Sequence, residues 1–400
     1  MKIIVIGSGA SGLTAAIKAK SNNNEVIILE KNNKVGKKIL VTGNGKCNYY
    51  NDDFSKLHYH STNKEIISNL INDTNQKKIT TYFNELGLIP YIKDGYYYPH
   101  SNQAITVLNA LTKKITDLNI KVYTNTKVIN ITKENKFIIK TNNGEFIADK
   151  VIVATGSYAY YKDEINSYDL LKKLNHKIIK PLPALVQLKT NNSICKKWAG
   201  VRVKGAIKLI IDNNEIREEK GELMLTSYGV SGICAMQLSG EIARYLDNNK
   251  KVYLIINFIE DIATTKEDLK NYLDNYNKNK NYKVKEILDN LLNYKLGNCL
   301  CDSISDLYYS NLSNKELDKL LSNLIEFKIE ITGTNSFKEA QTCTGGIPLE
   351  EINPQTMESL KIKDLYITGE VLDITGDCGG YNLAFAWLSG LLAGSDVKND

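Results

Sequence analysis

The chain opens on a continuous apolar run, Ile3 to Ile6, of the β-branched kind that fills a parallel strand buried on both faces. Directly behind it Leu13, Ala16, Ile17 and Ala19 recur at helical spacing, which predicts a helix to about Lys20, and Glu25 to Leu29 reads as a second strand. Lys150 to Thr155 and Leu365 to Ile367 read as further strands of the same kind, the latter followed by a helix of small residues from about Asn382 to Ala393. The middle differs. After Pro181 and Pro183, Leu185 to Leu188, Val201 to Ile211, Glu222 to Thr226 and Val252 to Asn257 predict strands punctuated by turns such as Asp212-Asn213-Asn214. From Thr264 to about Glu326 the period becomes helical, through Leu269 and Leu273, Ile287 and Leu291, then Leu317, Leu320, Leu321 and Leu324, and Ile329 to Ile331 is expected to return the chain to the first region.

At 400 residues the chain is longer than one hydrophobic core usually serves, so a nucleotide-binding domain with at least one further module is expected. A formal charge of +6, without a basic block carrying interleaved aromatics, argues against nucleic acid as a partner. No apolar run reaches membrane-spanning length. The apolar start is interrupted by Gly7, Gly9 and Gly12, unlike a signal peptide, and the 7 Cys form no C-x-x-C pair. Both features fit a reducing, cytoplasmic setting.

The first apolar run ends in Gly7-Ser8-Gly9-Ala10-Ser11-Gly12. Here Gly7 allows the tight strand-to-helix turn, Gly9 lets backbone approach a pyrophosphate, and Gly12 lets helix and strand pack closely. The helix N-terminus offers N–H groups to the anion, and Glu30, closing the second strand, is placed to accept from an adenosine ribose. Its charge disfavours a 2′-phosphate there, which leaves FAD or NAD. The stretch beyond, with Lys31, Lys37 and Thr42-Gly43-Asn44, is a long glycine-bearing loop rather than the helix of a simple nicotinamide dehydrogenase, and it suits an extended FAD. Val128, Ala154-Thr155-Gly156 and the C-terminal residues Gly369, Glu370, Asp373, Gly379, Gly380, Tyr381 and Asn382 complete the expected cofactor contacts. Asp373 is assigned to the ribityl hydroxyls, and the helix start at Tyr381 and Asn382 to the flavin's pyrimidine end, where negative charge develops on reduction.

Taken with Gly95-Tyr96-Tyr97-Tyr98-Pro99 and Thr226-Ser227-Tyr228-Gly229-Val230-Ser231-Gly232, these blocks resemble, over essentially the whole chain, a bacterial family of NAD(P)/FAD-dependent oxidoreductases that includes aminoacetone oxidase and BaiN-type flavoproteins. Lys46 and Ile233 depart from it, standing where the family commonly has Arg and Pro. The resemblance implies an α/β fold: a two-dinucleotide-binding-type, Rossmann-like FAD domain split in sequence (1–184 and 329–400), with an inserted β-rich subdomain (185–262) and a small helical subdomain (263–328). It implies tight, non-covalent FAD exchanging hydride or electrons through N5 with a small organic substrate. No second G-x-G-x-x-G provides a nicotinamide domain of its own, so either NAD(P)H docks transiently over the flavin as reductant, the favoured reading, or the substrate reduces the flavin and oxygen reoxidises it. An oxygen-using amine oxidase and an FAD-containing RNA-binding or RNA-modifying protein are the alternatives.

Acid and base candidates are sparse. Tyr381, Asn382 and His100 stand nearest to motifs that face the flavin, and His176 reads as an exposed helix-end residue. His58 and His60 share one face of a strand, in a polar context that does not suggest a metal. Cys47 and Cys378 are read as packing residues near the isoalloxazine, and Tyr96 to Tyr98 either line the substrate approach or pack as an ordinary strand.

Overall fold

The computed structural model describes residues 1–160 and 167–399. The chain divides into two compact units, Met1–Leu182 with Thr342–Asp400, and Pro183–Gln341.

The first unit is built on a five-stranded sheet in the order Leu365–Ile367, Lys150–Val153, Lys2–Ile6, Glu25–Leu29, Lys121–Tyr123. Every pairing in it is parallel. The uninterrupted apolar runs have this physical cause: helices cover such a sheet, so neither face meets water. The first helix, Ala10–Ala19, leaves the sheet through Gly7, whose φ of 102° is open to glycine, and an added Cβ there would stand 2.4 Å from the Ala154 carbonyl oxygen. Gly12 is as tightly held, its notional Cβ 2.0 Å from the Gly7 oxygen. The last helix, Tyr381–Asp396, lies against the first through glycines one turn apart. A Cβ on Gly390 would meet the Ser11 oxygen at 2.5 Å, and one on Gly394 the Ala15 oxygen at 2.5 Å. The C-terminal small-residue helix is thus a close-packing device that returns the chain's end to its beginning. A three-stranded antiparallel sheet, Val128–Lys133, Phe137–Thr141 and Gly144–Ala148, completes the expected mixed α/β architecture.

The second unit is a seven-stranded antiparallel sheet with helices. Here the structure departs from the expected course of the chain. The segment Phe327–Ile331 pairs with Val252–Asn257 at the edge of this sheet, so Ile329 to Ile331 do not lead back to the first unit; the chain does so from Thr342. The strands and the helices of 266–325 also bury one continuous core, with Leu254, Ile256, Leu269, Leu288 and Leu324 among its members. Neither the sheet face nor the amphipathic helices could bury their apolar sides alone.

Candidate active site

All the predicted cofactor residues lie in the first unit. The turn into the first helix is open only at its middle glycine: Gly7 and Gly12 are packed against backbone, whereas no atom lies within 4 Å of a Cβ built on Gly9. Gly156, at φ 72°, is equally open. The helix starts without a side-chain cap, so its first N–H groups await another acceptor. Below it Glu30 is buried and held by four donors: Ser8 N–H at 2.9 Å, Ser8 Oγ at 2.5 Å, and the Asn32 backbone and side-chain N–H groups at 2.8 and 2.6 Å. Ser8, Ala10 and Ser11 flank this opening, Ala154 and Thr155 lie at the end of the adjacent strand, and Val128 is buried at the start of the three-stranded sheet.

Of the lysines in the following loop, the expected Lys31 and Lys37 are exposed, and it is Lys38 that turns inward. Its Nζ lies 2.5 Å from Glu370, which also accepts from Ser157 Oγ at 3.3 Å. Thr42, Gly43 and Asn44 form an exposed turn with Gly43 and Asn44 both at φ 54°. Gly369, at φ 76°, is held by donating its N–H to Ser389 Oγ at 3.0 Å.

Two of the expected cofactor residues are engaged within the protein itself. Asp373, assigned to the ribityl hydroxyls, is wholly buried and already accepts from Thr62 N–H at 2.9 Å, Thr62 Oγ1 at 2.6 Å, Ser61 Oγ at 3.3 Å and Gly345 N–H at 3.0 Å. A carboxylate so enclosed ties three chain segments together. Asn382 closes the glycine turn on itself, accepting from Gly376 N–H and donating to Gly376 O, both at 2.8 Å. Gly379 and Gly380 are at φ 130° and 96°, and Asn51 Nδ2 donates to Gly379 O at 3.1 Å. Asn48 Oδ1, a buried atom without a partner, lies 2.8 Å from where a Cβ on Gly380 would be.

The histidines fall out differently from their sequence reading. His176 is buried rather than exposed, because Glu351 and Ser359 enclose its ring: Nδ1 lies 2.7 Å from Glu351 Oε2 and Nε2 3.1 Å from Ser359 Oγ. His100 is exposed after the strand Tyr96–Pro99, and its ring joins no cluster at the glycine turn. His58 and His60 instead converge on Asp377. His58 Nδ1 lies 3.1 Å from Oδ2, and His60 Nε2 2.8 Å from Oδ1. His58 also faces Asp53 through Nε2 at 2.9 Å and stacks on Tyr381, ring centroids 4.4 Å apart and planes 18° from parallel. The pair is brought there by a short antiparallel bridge, Tyr59–His60 against Thr375–Gly376.

Burial raises the Cys47 and Cys343 thiols to about 11, so both behave as small apolar side chains rather than nucleophiles. Cys378 is half-buried. Tyr97 packs edge-on against Tyr49 and Tyr50, whereas Tyr96 is partly exposed beside Gly379. Lys38, Asn48, Asn51 and Asp377 were the residues that motif spacing did not single out; Lys38, Asn51 and Asp377 each act through a partner distant in sequence.

A parallel sheet, a glycine turn open at its middle residue and an acid below it define a dinucleotide-binding protein of the Rossmann class, and its relatives place it among the flavoprotein oxidoreductases. Residues 1–396 match the family described as HI0933-like protein Rossmann domain. The chain is 34% identical over 401 residues to the 3-dehydro-bile acid delta(4,6)-reductase of Clostridium scindens, covering 98% of each. It is 25% identical to the ribosomal RNA dihydrouridine synthase of Escherichia coli, over 98% of this chain and 97% of that one, and 23% identical to the Haemophilus influenzae protein of the same name, over 96% of each. The chain belongs to the HI0933-like family, and it is an oxidoreductase. Among the described residues no helix is long and apolar enough to cross a membrane, and no group of His, Cys, Asp and Glu is arranged to hold a metal.

Proposed function

We propose that the first unit binds FAD without a covalent link and that the protein reduces a carbon–carbon double bond conjugated to a carbonyl in a small organic substrate, with NAD(P)H as transient reductant. The observation that carries the cofactor is the opening at Gly9, where space is left in a turn whose other two glycines are packed to contact. A pyrophosphate fits this cradle and meets the uncapped first helix. Ser8 and Glu30 then face the adenosine ribose, and the Lys38–Glu370 pair with Asn48 lies toward the flavin end. When bound, the flavin supplies two-electron chemistry at N5. The chain's own work is to hold the glycine turn at Gly379 and Gly380, to exclude water through the buried Tyr381 and to provide a proton.

The substrate class follows from the relatives' names: the Δ(4,6)-reductase and the dihydrouridine synthases both add two hydrogens across a double bond conjugated to a carbonyl. A second reading has the uridine of a ribosomal RNA as that substrate, favoured by the two synthases matched over nearly their whole length. Anaerobic mixing with NADH or NADPH should bleach the oxidised-flavin absorbance, and the bleached protein should regain colour with a 3-oxo-Δ4,6 bile acid; recovery with ribosomal RNA alone would select the second reading. Persistent colour under both nicotinamides, with bleaching by an amine, would point to an oxidase instead. Gly9→Val fills the opening while the fold keeps its packed glycines, so the variant should melt like the parent and purify without flavin. Parental flavin content in it overturns the cofactor site.

A further inference from the structure

The cluster of His58, His60 and Asp377 is not used by the cofactor assignment above, yet its geometry is tightly specified. Asp377 is buried to 7% side-chain exposure, and a carboxylate taken from water needs donors. Two imidazoles supply them, at 3.1 and 2.8 Å. Their approach is fixed by backbone: Thr375 pairs with His60, Gly376 with Tyr59, and the Asp377 N–H donates to the His58 oxygen at 2.9 Å. His58 is fixed a second time by its stacking on Tyr381, the first residue of the last helix. The cluster is nonetheless open to water, because His58 keeps 29% and His60 38% of its side-chain surface, and the His58 Nε2 meets Asp53, itself 63% exposed. A path of acid and base groups therefore runs from solvent, through Asp53 and His58, to a buried carboxylate within the glycine turn.

We propose that His58 is the acid of the reduction, delivering the proton that the substrate needs in addition to hydride, and that Asp377 and His60 are positioning residues that hold its ring and share its proton. This rests on the reductase reading above. In the step, the π bond of the conjugated double bond breaks. A bound reduced flavin would supply the hydride for the C–H bond at the carbon remote from the carbonyl, and the Nε2–H of the His58 imidazolium, on the exposed side of the ring, would supply the proton for the C–H bond at the carbon beside it while Nδ1 stays on Asp377. The imidazole left behind is reprotonated from solvent by way of Asp53. The charged groups touching its ring are Asp53 and Asp377, with Tyr381 stacked on it and His60 on the far side of the shared carboxylate. A positioned acid of this kind contributes roughly 10²- to 10⁴-fold in rate.

The test separates the two half-reactions in the flavin-loaded protein. In His58→Gln, NADPH should bleach the flavin at the parental rate. Recolouring by a 3-oxo-Δ4,6 bile acid should be slower by about 10² or more at saturating probe, with the probe's half-saturation concentration unchanged. Asp377→Asn, which keeps the shape of the turn, should slow the same half-reaction by a smaller factor. A readout independent of turnover is the ring N–H proton resonances of His58 and His60 in the flavin-free protein: carboxylate bonding holds them visible against solvent exchange, and Asp377→Asn should remove them. A parent that recolours with the probe at a rate His58→Gln leaves intact overturns the assignment alone. Equal loss in both half-reactions, together with lost flavin, shows a mere latch and also overturns it. A parent recoloured neither by the bile acid nor by ribosomal RNA overturns the conjugated-carbonyl reading and the acid with it.

Discussion

Two carboxylates of the first unit, Glu351 and Asp377, are both nearly buried and both engage histidine, yet they are built for different ends. Around Glu351 the histidine is wholly enclosed, its side chain 0% exposed, and only Lys361 reaches water. It accepts from Lys361 Nζ at 2.7 Å and from the Lys177 N–H at 3.2 Å, and it faces His176 Nδ1 at 2.7 Å. The His176 Nε2 looks onto Ser359 Oγ, which accepts from the Lys361 and Ile362 N–H groups at 3.1 and 3.0 Å. The order Ser359–His176–Glu351 is that of a hydrolytic triad, but a hydroxyl oxygen already accepting two amides inside a core has no lone pair or space for attack. With its hydroxyl donating to Nε2, the histidine is held as the neutral Nδ1–H tautomer. Asp377 holds its imidazoles at similar distances, but both of them reach water, with 29% and 38% of their side-chain surface exposed. Sealing makes the first cluster a cross-link between segments; one open side makes the second a proton path.

The sharpest way to break this comparison is to cut the sealed cluster. Glu351→Ala strands the Lys177 amide and the His176 Nδ1–H, while the part-exposed Lys361 keeps Asn175 O at 2.7 Å, and a buried donor left without its partner typically costs about 1–3 kcal/mol. The variant should melt at least several degrees lower, read by calorimetry. Its NADPH-driven bleaching, measured well below the melting range, should stay near parental.

Acid should expose the same cluster more gradually. Burial, outweighing the attraction of Glu351, lowers the His176 ionisation below its ordinary value of 6.5. For Glu351, the Lys361 and His176 contacts overcome burial and lower its ionisation below 4.5. Both folded values are depressed, so both contributions are present above the ordinary values and are lost as pH falls: the histidine's from about 6.5 downward, the carboxylate's from about 4.5 downward. The melting temperature should therefore begin to fall below about pH 6.5, and His176→Asn should flatten that first descent. A parental slope in the variant would place the acid sensitivity elsewhere. Asp377→Asn should cost less, about 1–2 kcal/mol, because the amide keeps one acceptor for an imidazole and water reaches the rest.

The contrast also marks what the sequence could reveal. The glycine turn, both flanking strands and the last helix were legible because their causes are local: a β-branched run, a glycine spacing, a stripe of small residues. The reading of His58 and His60 as one strand face holds only for His60, since His58 ends the turn Lys56–His58 that precedes the strand Tyr59–His60. Asp377 as their common partner was not legible, since it lies more than three hundred positions away and arrives only when Thr375–Gly376 pairs with Tyr59–His60. His176 failed for the same reason. A polar residue after a short helix reads as solvent-facing until a distant glutamate closes over it. The choice of Lys38 over Lys37 was likewise decided by Glu370, and the fate of Ile329 to Ile331 by strand Val252–Asn257, neither of which any local pattern announces.

The finest test lies at the open end of the Asp377 cluster, where Asp53 meets His58 at 2.9 Å with most of its surface in water. Exposed pairs of this kind contribute between nothing and about 1 kcal/mol, and salt screens them. Asp53→Asn should accordingly leave the melting temperature within experimental error of the parent and leave flavin content unchanged. Its effect should fall on proton resupply alone, as a recolouring rate that slows severalfold at low ionic strength and is rescued by small diffusible buffers such as imidazole. A melting temperature lowered as far as that of Asp377→Asn would mean that Asp53 is part of the latch, and that the cluster is closed to solvent like its counterpart at Glu351.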